Sequence, residues 1–338
     1  MLIIATSGIE LTAAERKCLA HPSVAGVTLF ARNFRDRAQV TRLIADMRAA
    51  SPRPILVCVD QEGGPVQRFR DGFTLLPALI GLGDRYRTDP NEALALAEEH
   101  AWLMASEMRA IDVDLSFAPV LDLARGNRAI GARAFDPEPA VVGALGAAYV
   151  RGMRTAGMAA TLKHFPGHGS VLEDTHFESA VDARDRESLW REDLLPFREA
   201  IAAGAEAVMM AHVAFPAVDA LPAGYSRRWI VDVLRGEMGF EGVVMSDDIG
   251  MFGATSAGSV AARIEAHLAA GCDLVLVCQP DTVPAALAAM ETSGARANAS
   301  VAALAGRAAG DWADLAANPQ RDRFIARLRG LPITEMPA

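Results

Sequence analysis

The 338-residue chain has no excess of positive charge: 33 Lys and Arg stand against 42 Asp and Glu, a formal net charge of −9, and no long basic run interrupts this balance. That removes the electrostatic footprint of a nucleic-acid binder and disfavours an anionic lipid surface. Long hydrophobic runs are missing too, and none reaches the length that spans a bilayer. The first residues, Met1-Leu2-Ile3-Ile4-Ala5-Thr6-Ser7, contain no basic residue, and their apolar run is too short for a secretory signal, so a cytoplasmic protein is expected. Cysteine is scarce. Cys18, Cys58, Cys272 and Cys278 form no close pair, which points to free thiols rather than disulfides or zinc ligands. No linker rich in Pro, Gly or Ser divides the chain, and no GxGxxG turn follows the first apolar run, as a dinucleotide-binding sheet would require. Aromatic residues make up only 6 %, while 51 % of residues are hydrophobic and many are Ala. That composition suits helices packed closely on a buried parallel sheet.

What is present is a recurring unit. Short apolar runs at residues 2–5, 26–30, 55–59, 113–117, 159–162, 207–210, 242–245 and 273–277 read as strands. Most are followed by a stretch with helical spacing: 39–50, 91–110, 140–156, 186–203, where Pro196 is expected to kink or interrupt the helix, 228–238 and 257–270. Eight strands alternating with helices predict a closed (β/α)8 barrel in a single domain, residues 1–338, with the barrel over about 1–295 and further helices packed outside it over about 296–338.

In a parallel barrel the residues just after each strand gather into one pocket. Here those positions hold Arg32, Asp60, Lys163, His164, His212, Asp247 and Asp248, and the adjoining loops add Arg68, Arg133, Asp174 and His176. The densest stretch is Lys163-His164-Phe165-Pro166-Gly167-His168-Gly169, continued to Asp174-Thr175-His176; its Pro and Gly residues forbid a regular helix, and its ionisable groups are costly to bury without partners. Two carboxylates with basic residues and no nucleotide loop favour a hydrolase acting on a polyhydroxylated molecule. Asp247, at the end of Val243-Val244-Met245-Ser246, would be held rigidly as a nucleophile or electrostatic stabiliser, with Asp248 pointing elsewhere by strand alternation. Asp174 two residues before His176 can accept an imidazole proton and fix the tautomer, although a loop-stabilising hydrogen bond would use the same spacing.

The lysine-to-histidine stretch with Asp174-x-His176, Asp60-Gln61-Glu62-Gly63-Gly64 with Val66-Gln67-Arg68, and Ser246-Asp247-Asp248 with Met251 together resemble glycoside hydrolase family 3, and more narrowly its single-domain bacterial β-N-acetylhexosaminidases of peptidoglycan recycling. The resemblance runs from Gly26 to Cys278 in the expected order. It implies a retaining exo-β-N-acetylglucosaminidase acting on N-acetylglucosaminyl-anhydro-N-acetylmuramic acid and its peptide-bearing forms. It assigns Asp247 as nucleophile, His176 as proton donor and acceptor, and Asp174 as its support. It gives sugar contacts to Asp60, Arg68, Arg133, Lys163 and His164. The substrate it implies is a small molecule (a disaccharide or muropeptide); no cofactor, metal, nucleic-acid or membrane partner is expected of the chain, and a monomer is expected. The chain departs from the family pattern at Pro65 after the paired glycines, at Thr175, and at Ile249-Gly250 after the nucleophile. These are expected to alter loop conformation, Gly250 by loosening its turn.

Two other readings use the same residues. A metal-dependent hydrolase could take His164, His168, His212 and Asp247 as ligands, but Ser7-Gly8 stands where such barrels open with His-x-His. A non-catalytic sugar-binding protein would be expected to lack Asp247 or the Asp174/His176 pair, and all three are present.

Overall fold

The protein is described from a computed structural model, in which residues 1–293, 299–307 and 310–332 are described. Eight parallel strands follow one another around the barrel: β1 Leu2–Ala5, β2 Val24–Leu29, β3 Leu56–Val59, β4 Leu115–Ser116, β5 Thr161–Phe165, β6 Ala207–Met210, β7 Val243–Asp248 and β8 Leu274–Val277. Each pairs with its sequence neighbours except β4 with β5, and β1 pairs with β8. The ring closes between β4 and β5 through the parallel bridge Val120↔Lys163, with the Leu121 N–H donating to Lys163 C=O at 2.7 Å.

The strands read as unbroken apolar runs because both their faces are buried. Ile3, Leu56, Cys58, Met209, Met245, Leu274 and Leu276 fill the barrel interior. The alternate residues Leu2, Ile4, Val57, Val59, Val208, Val244 and Val275 pack outward against the helices. Those helices begin where the sequence supplies caps. Thr12 and Glu15 form a reciprocal pair at Ala13–Leu19, and Asp36 and Asp89 accept from the first turns of Arg37–Ala50 and Pro90–Arg109.

The helix expected over 186–203 is two, Arg186–Arg191 and Leu194–Ala202. The break at Glu192 is the residue whose carbonyl the Pro196 ring would meet in a continuous helix; in the second helix Pro196 occupies the first turn, where no N–H is needed. The helix Arg228–Glu237 is a π-helix.

The tail differs from the expectation that all of it packs outside. The turn Ala299–Leu304 sends Val301 and Leu304 into the interior cluster, and the Gly306 and Arg307 N–H groups donate to Asp114 Oδ1 and Gly157 C=O, so this segment plugs the N-terminal end of the barrel. Trp312–Ala316 and Pro319–Leu328 do lie outside. Phe324 meets Trp102 edge-on, and Arg321 Nη2 lies 2.8 Å from Glu107 Oε1. The expected barrel boundary near 295 lies outside the described residues. Among the described residues no helix is long and apolar enough to cross a membrane, and the four cysteines are unpaired.

Candidate active site

The C-terminal ends of the strands border a cavity of about 500 Å3, within the range usual for small-molecule sites, about 300–1,000 Å3. A second cavity of about 490 Å3 lies among Trp102, Arg154, Arg307 and Asp314, away from these strand ends, and its lining includes no histidine. Asp60, Arg68, Arg133, Lys163, His164, Asp174, His176, Asp247 and Asp248 all border the first cavity, as does Arg32. His212 does not. It is buried behind Asp247 and Asp248, with its Nε2–H donating to the Asp248 carbonyl at 3.0 Å.

One wall is a buried ionic cluster. Lys163 Nζ donates to Asp60 Oδ1 at 2.8 Å and lies 2.6 Å from Glu62 Oε1. Arg133 grips Glu62 in two parallel bonds of 2.8 Å, and Arg68 Nη2 reaches Asp60 Oδ2 at 3.4 Å. Burial opposes the Asp60 charge, yet Lys163 and Arg68 hold its carboxyl well below the usual range. Burial likewise works against the Lys163 and Glu62 charges, and each is outweighed by its partners. The cluster is thus fully ionised, with its cations presented in a fixed frame.

Lys163 and His164 are expected just past a strand, but they lie within β5, which runs on to Phe165. The pairing of β5 with β6 shifts register between Leu162 and Phe165, and such an irregularity lets two successive side chains face the same cavity. His164 is oriented from behind: its Nδ1–H donates to Asp122 Oδ2 at 2.6 Å, which leaves Nε2 facing Asp247 Oδ2 at 3.9 Å. Asp122 also accepts the His168 backbone N–H at 2.6 Å.

Asp247 ends β7. Burial pushes its carboxyl up, but His164 and His212, the Asp248 N–H at 2.8 Å and His176 together hold it below its ordinary value. A comparable register shift between Met245 and Asp248 brings Asp248 to the cavity rim as well, against simple alternation. The Asp248 carboxylate is nonetheless occupied by the backbone N–H groups of Gly250 and Cys278, each at 3.0 Å. Gly250 therefore fastens the turn after Asp247, where loosening was expected, and a Cβ there would meet Asp248 Oδ2 and Gln279 Cγ at 3.0 Å. Pro65 sits in the turn of a short hairpin, Gln61–Gly63 with Val66–Gln67, that carries Glu62 and leads to Arg68. Gly63 and Gly64, with φ of +98° and +53°, make that turn possible.

His176 borders the same cavity from the loop 170–178. Its Nδ1–H and its backbone N–H both donate to Asp174 Oδ1, at 2.7 and 2.9 Å, and these bonds hold the Asp174 carboxyl down against burial. About half of the His176 side chain is exposed. The loop is held from both sides. Asn127 Nδ2 donates to Val171 C=O at 2.7 Å and Glu173 C=O at 3.0 Å, and Gly253 N–H donates to the carbonyl of buried Thr175 at 2.9 Å. Gly169 allows the entry of this loop, because a Cβ there would lie 1.9 Å from the Leu123 carbonyl oxygen.

The residues considered as metal ligands have other engagements. His164 Nδ1 is bound to Asp122, His168 Nε2 to Glu173 C=O at 3.2 Å and His212 Nε2 to Asp248 C=O. Among the described residues no three His, Cys, Asp or Glu side chains form a ligand group.

Three residues to which the sequence alone assigns no role prove central: Glu62, Asp122 and Asn127. Glu62 is visible in the sequence as a carboxylate beside paired glycines, and Asp122 as a lone charge inside the apolar run 117–123. Asn127 gives no signal beyond its turn-forming side chain.

The match to known proteins agrees with this geometry. Residues 3–308 match the family described as Glycosyl hydrolase family 3 N terminal domain. A Beta-hexosaminidase of Stenotrophomonas maltophilia is 62 % identical over 318 residues, 94 % of this chain and 95 % of that one. One from Xylella fastidiosa is 57 % identical over 329 residues, 97 % of this chain and 98 % of that one. Among solved structures, NagZ from Neisseria gonorrhoeae in complex with N-trifluoroacetyl-D-glucosamine superposes with a TM-score of 0.90 at 36 % identity, covering 97 % of each chain. With an eight-stranded barrel and these matches over nearly its whole length, the chain belongs to glycosyl hydrolase family 3 and is a glycosidase.

Proposed function

We propose that the chain is a retaining exo-β-N-acetylglucosaminidase that removes terminal non-reducing N-acetylglucosamine from peptidoglycan fragments in the cytoplasm, with N-acetylglucosaminyl-anhydro-N-acetylmuramic acid and its peptides as substrates. The observation that carries this reading is the placement of ionised Asp247 and the Asp174–His176 pair on one polar cavity. The sugar bound to the Neisseria NagZ is an N-acylated glucosamine, which supports the choice of N-acetylglucosamine here.

The terminal sugar sits among Asp60, Arg68, Arg133, Lys163 and His164, which offer ionised and fixed partners to its hydroxyls. An Asp247 oxygen attacks the anomeric carbon while protonated His176 gives its Nε2 proton to the departing glycosidic oxygen. The C–O bond breaks, and a covalent glycosyl-enzyme forms. Asp174 accepts from Nδ1–H throughout, which stabilises the imidazolium and keeps Nε2 as the working nitrogen. In the second half, neutral His176 takes a proton from water, the water oxygen attacks the anomeric carbon, and Asp247 leaves as a carboxylate. The half-exposed imidazole is open to solvent, so that water can reach it once the leaving group has departed.

Mass spectrometry after treatment with a 2-acetamido 5-fluoro sugar tests the assignment. Label is expected on the peptide holding Asp247, and label elsewhere overturns it. His176→Ala should keep far more activity on substrates with very acidic leaving groups, which need little protonation; equal loss on all leaving groups refutes the acid role. A panel of N-acetylglucosaminides against glucosides, with muropeptide fragments included, tests the substrate.

A further inference from the structure

Phe177 is the most exposed large apolar side chain among the described residues, with 79 % of its surface open. Isolated exposed apolar residues are ordinary on a protein surface, but this one follows His176 directly and borders the cavity. Its position is fixed by backbone bonds: the N–H groups of Phe177 and Glu178 both donate to Asp174 C=O, at 2.9 and 3.0 Å. The Phe177 and His176 rings lie 6.2 Å apart at 45°. The loop thus presents an imidazole and, beside it, an open aromatic face as one unit.

The side of the scissile bond on which that face lies follows from the chemistry. The polar wall of Asp60, Lys163 and Arg133 takes the non-reducing sugar, with Asp247 at its anomeric carbon. A group that protonates the glycosidic oxygen stands at the bond between the two sugars. An aromatic ring carried next to that group, with most of its surface open to solvent, can therefore touch the leaving group. The C–H face of a pyranose is apolar and flat enough to lie on an aromatic ring, which gains both area and contact with the ring's π-face.

We infer that Phe177 is the platform for the leaving saccharide, a specificity-determining residue that favours substrates whose departing group is a sugar ring over those with a small departing group. The inference rests on the proposed role of His176 and names the part of the substrate that the polar wall does not read. Occupancy by a sugar also explains why the sequence keeps a large apolar side chain in water at this position.

The test compares the ratio of kcat/KM for an N-acetylglucosaminyl disaccharide to that for N-acetylglucosaminyl fluoride, whose leaving group has no ring. In Phe177→Ala the ratio should fall roughly tenfold, mostly through the KM for the disaccharide, and Phe177→Trp should restore it. Phe252→Ala serves as the control: Phe252 is 48 % exposed but does not border the cavity, and its ratio should match the unaltered enzyme. An unchanged ratio in Phe177→Ala, no recovery in Phe177→Trp, or an equal fall in Phe252→Ala overturns the inference. Failure of the underlying reading is separately visible, because it would appear as loss of the leaving-group dependence in His176→Ala or as label away from Asp247.

Discussion

Glu62→Gln isolates the part of the site that the ionic cluster controls. Glu62 is 1 % exposed, and its two oxygens take Arg133 Nε and Nη2 at 2.8 Å while Oε1 also lies 2.6 Å from Lys163 Nζ. The substitution keeps the shape of the side chain and changes two things. It removes a negative charge facing two buried cations, and it replaces one acceptor oxygen by an NH2 group. If the Gln oxygen stays between Arg133 Nη2 and Lys163, the amide nitrogen meets Arg133 Nε, donor against donor. Turning the amide over instead sets it against both Nη2 and Nζ. Neither orientation satisfies the cluster. Removing one partner from a buried ion pair costs about 3–5 kcal/mol, because the remaining charges stay buried. Asp60 compensates Lys163 but is 3.4 Å from Arg68 as well, so it cannot balance Arg133 too. Urea unfolding should register a loss of that order, and the KM for an N-acetylglucosaminide should rise with it, since Lys163 and Arg133 are both placed by Glu62. A loss below about 1 kcal/mol with unchanged KM would show that the cations do not depend on this carboxylate, and the electrostatic account of the wall would fail.

Two other perturbations probe the loop and the buried histidines. In Asn127→Ala the Ala129 and Ile130 N–H groups lose an acceptor at 2.8 and 3.0 Å, and the carbonyls of Val171 and Glu173 lose their donor; stability should fall by about 1–3 kcal/mol, and hydrogen exchange should speed up across 170–178, with kcat lowered most for poor leaving groups. Unchanged exchange there would remove Asn127 from the positioning of His176. Burial lowers the pKa of His100 and His168 to about 4 and of His267 to about 3. Because the unfolded chain takes up these protons near pH 6.5 and the folded one does not, stability is complete above that pH and declines as pH falls toward 4, by up to about 1.4 kcal/mol per pH unit for each group. Urea midpoints that stay flat between pH 6.5 and 5 would contradict the buried neutral state.

The barrel and its mouth were legible because five of the eight strands end in a change from apolar to ionisable residues, and a parallel barrel collects all such ends on one side. Alternation alone, however, misplaces residues where the register slips. It turned Asp248 away from a rim that it reaches, and the end of the apolar run at Leu162 put Lys163 and His164 after β5 when they lie within it. His212 fails in the opposite sense: it also follows a strand, but its Nε2–H is drawn back to the Asp248 carbonyl, which fixes it behind the cavity. The tail segment Ala299–Leu304 has the apolar spacing of any amphipathic turn, so nothing local distinguishes a plug inside the barrel from a helix outside it. Glu62 and Asp122 mark the deeper limit. A buried carboxylate is tolerable only when its cations or N–H donors come to it, and those donors lie far along the chain, on Lys163 and Arg133 for Glu62 and on His164 and His168 for Asp122. Sequence position identifies such a group as expensive to bury but cannot say which partner meets the cost. In this fold three of these partners, Lys163, Arg133 and His164, are among the residues proposed to hold the sugar. The carboxylates that stabilise the buried wall therefore also set the orientation of its binding groups, and stability and substrate affinity should change together when either one is altered.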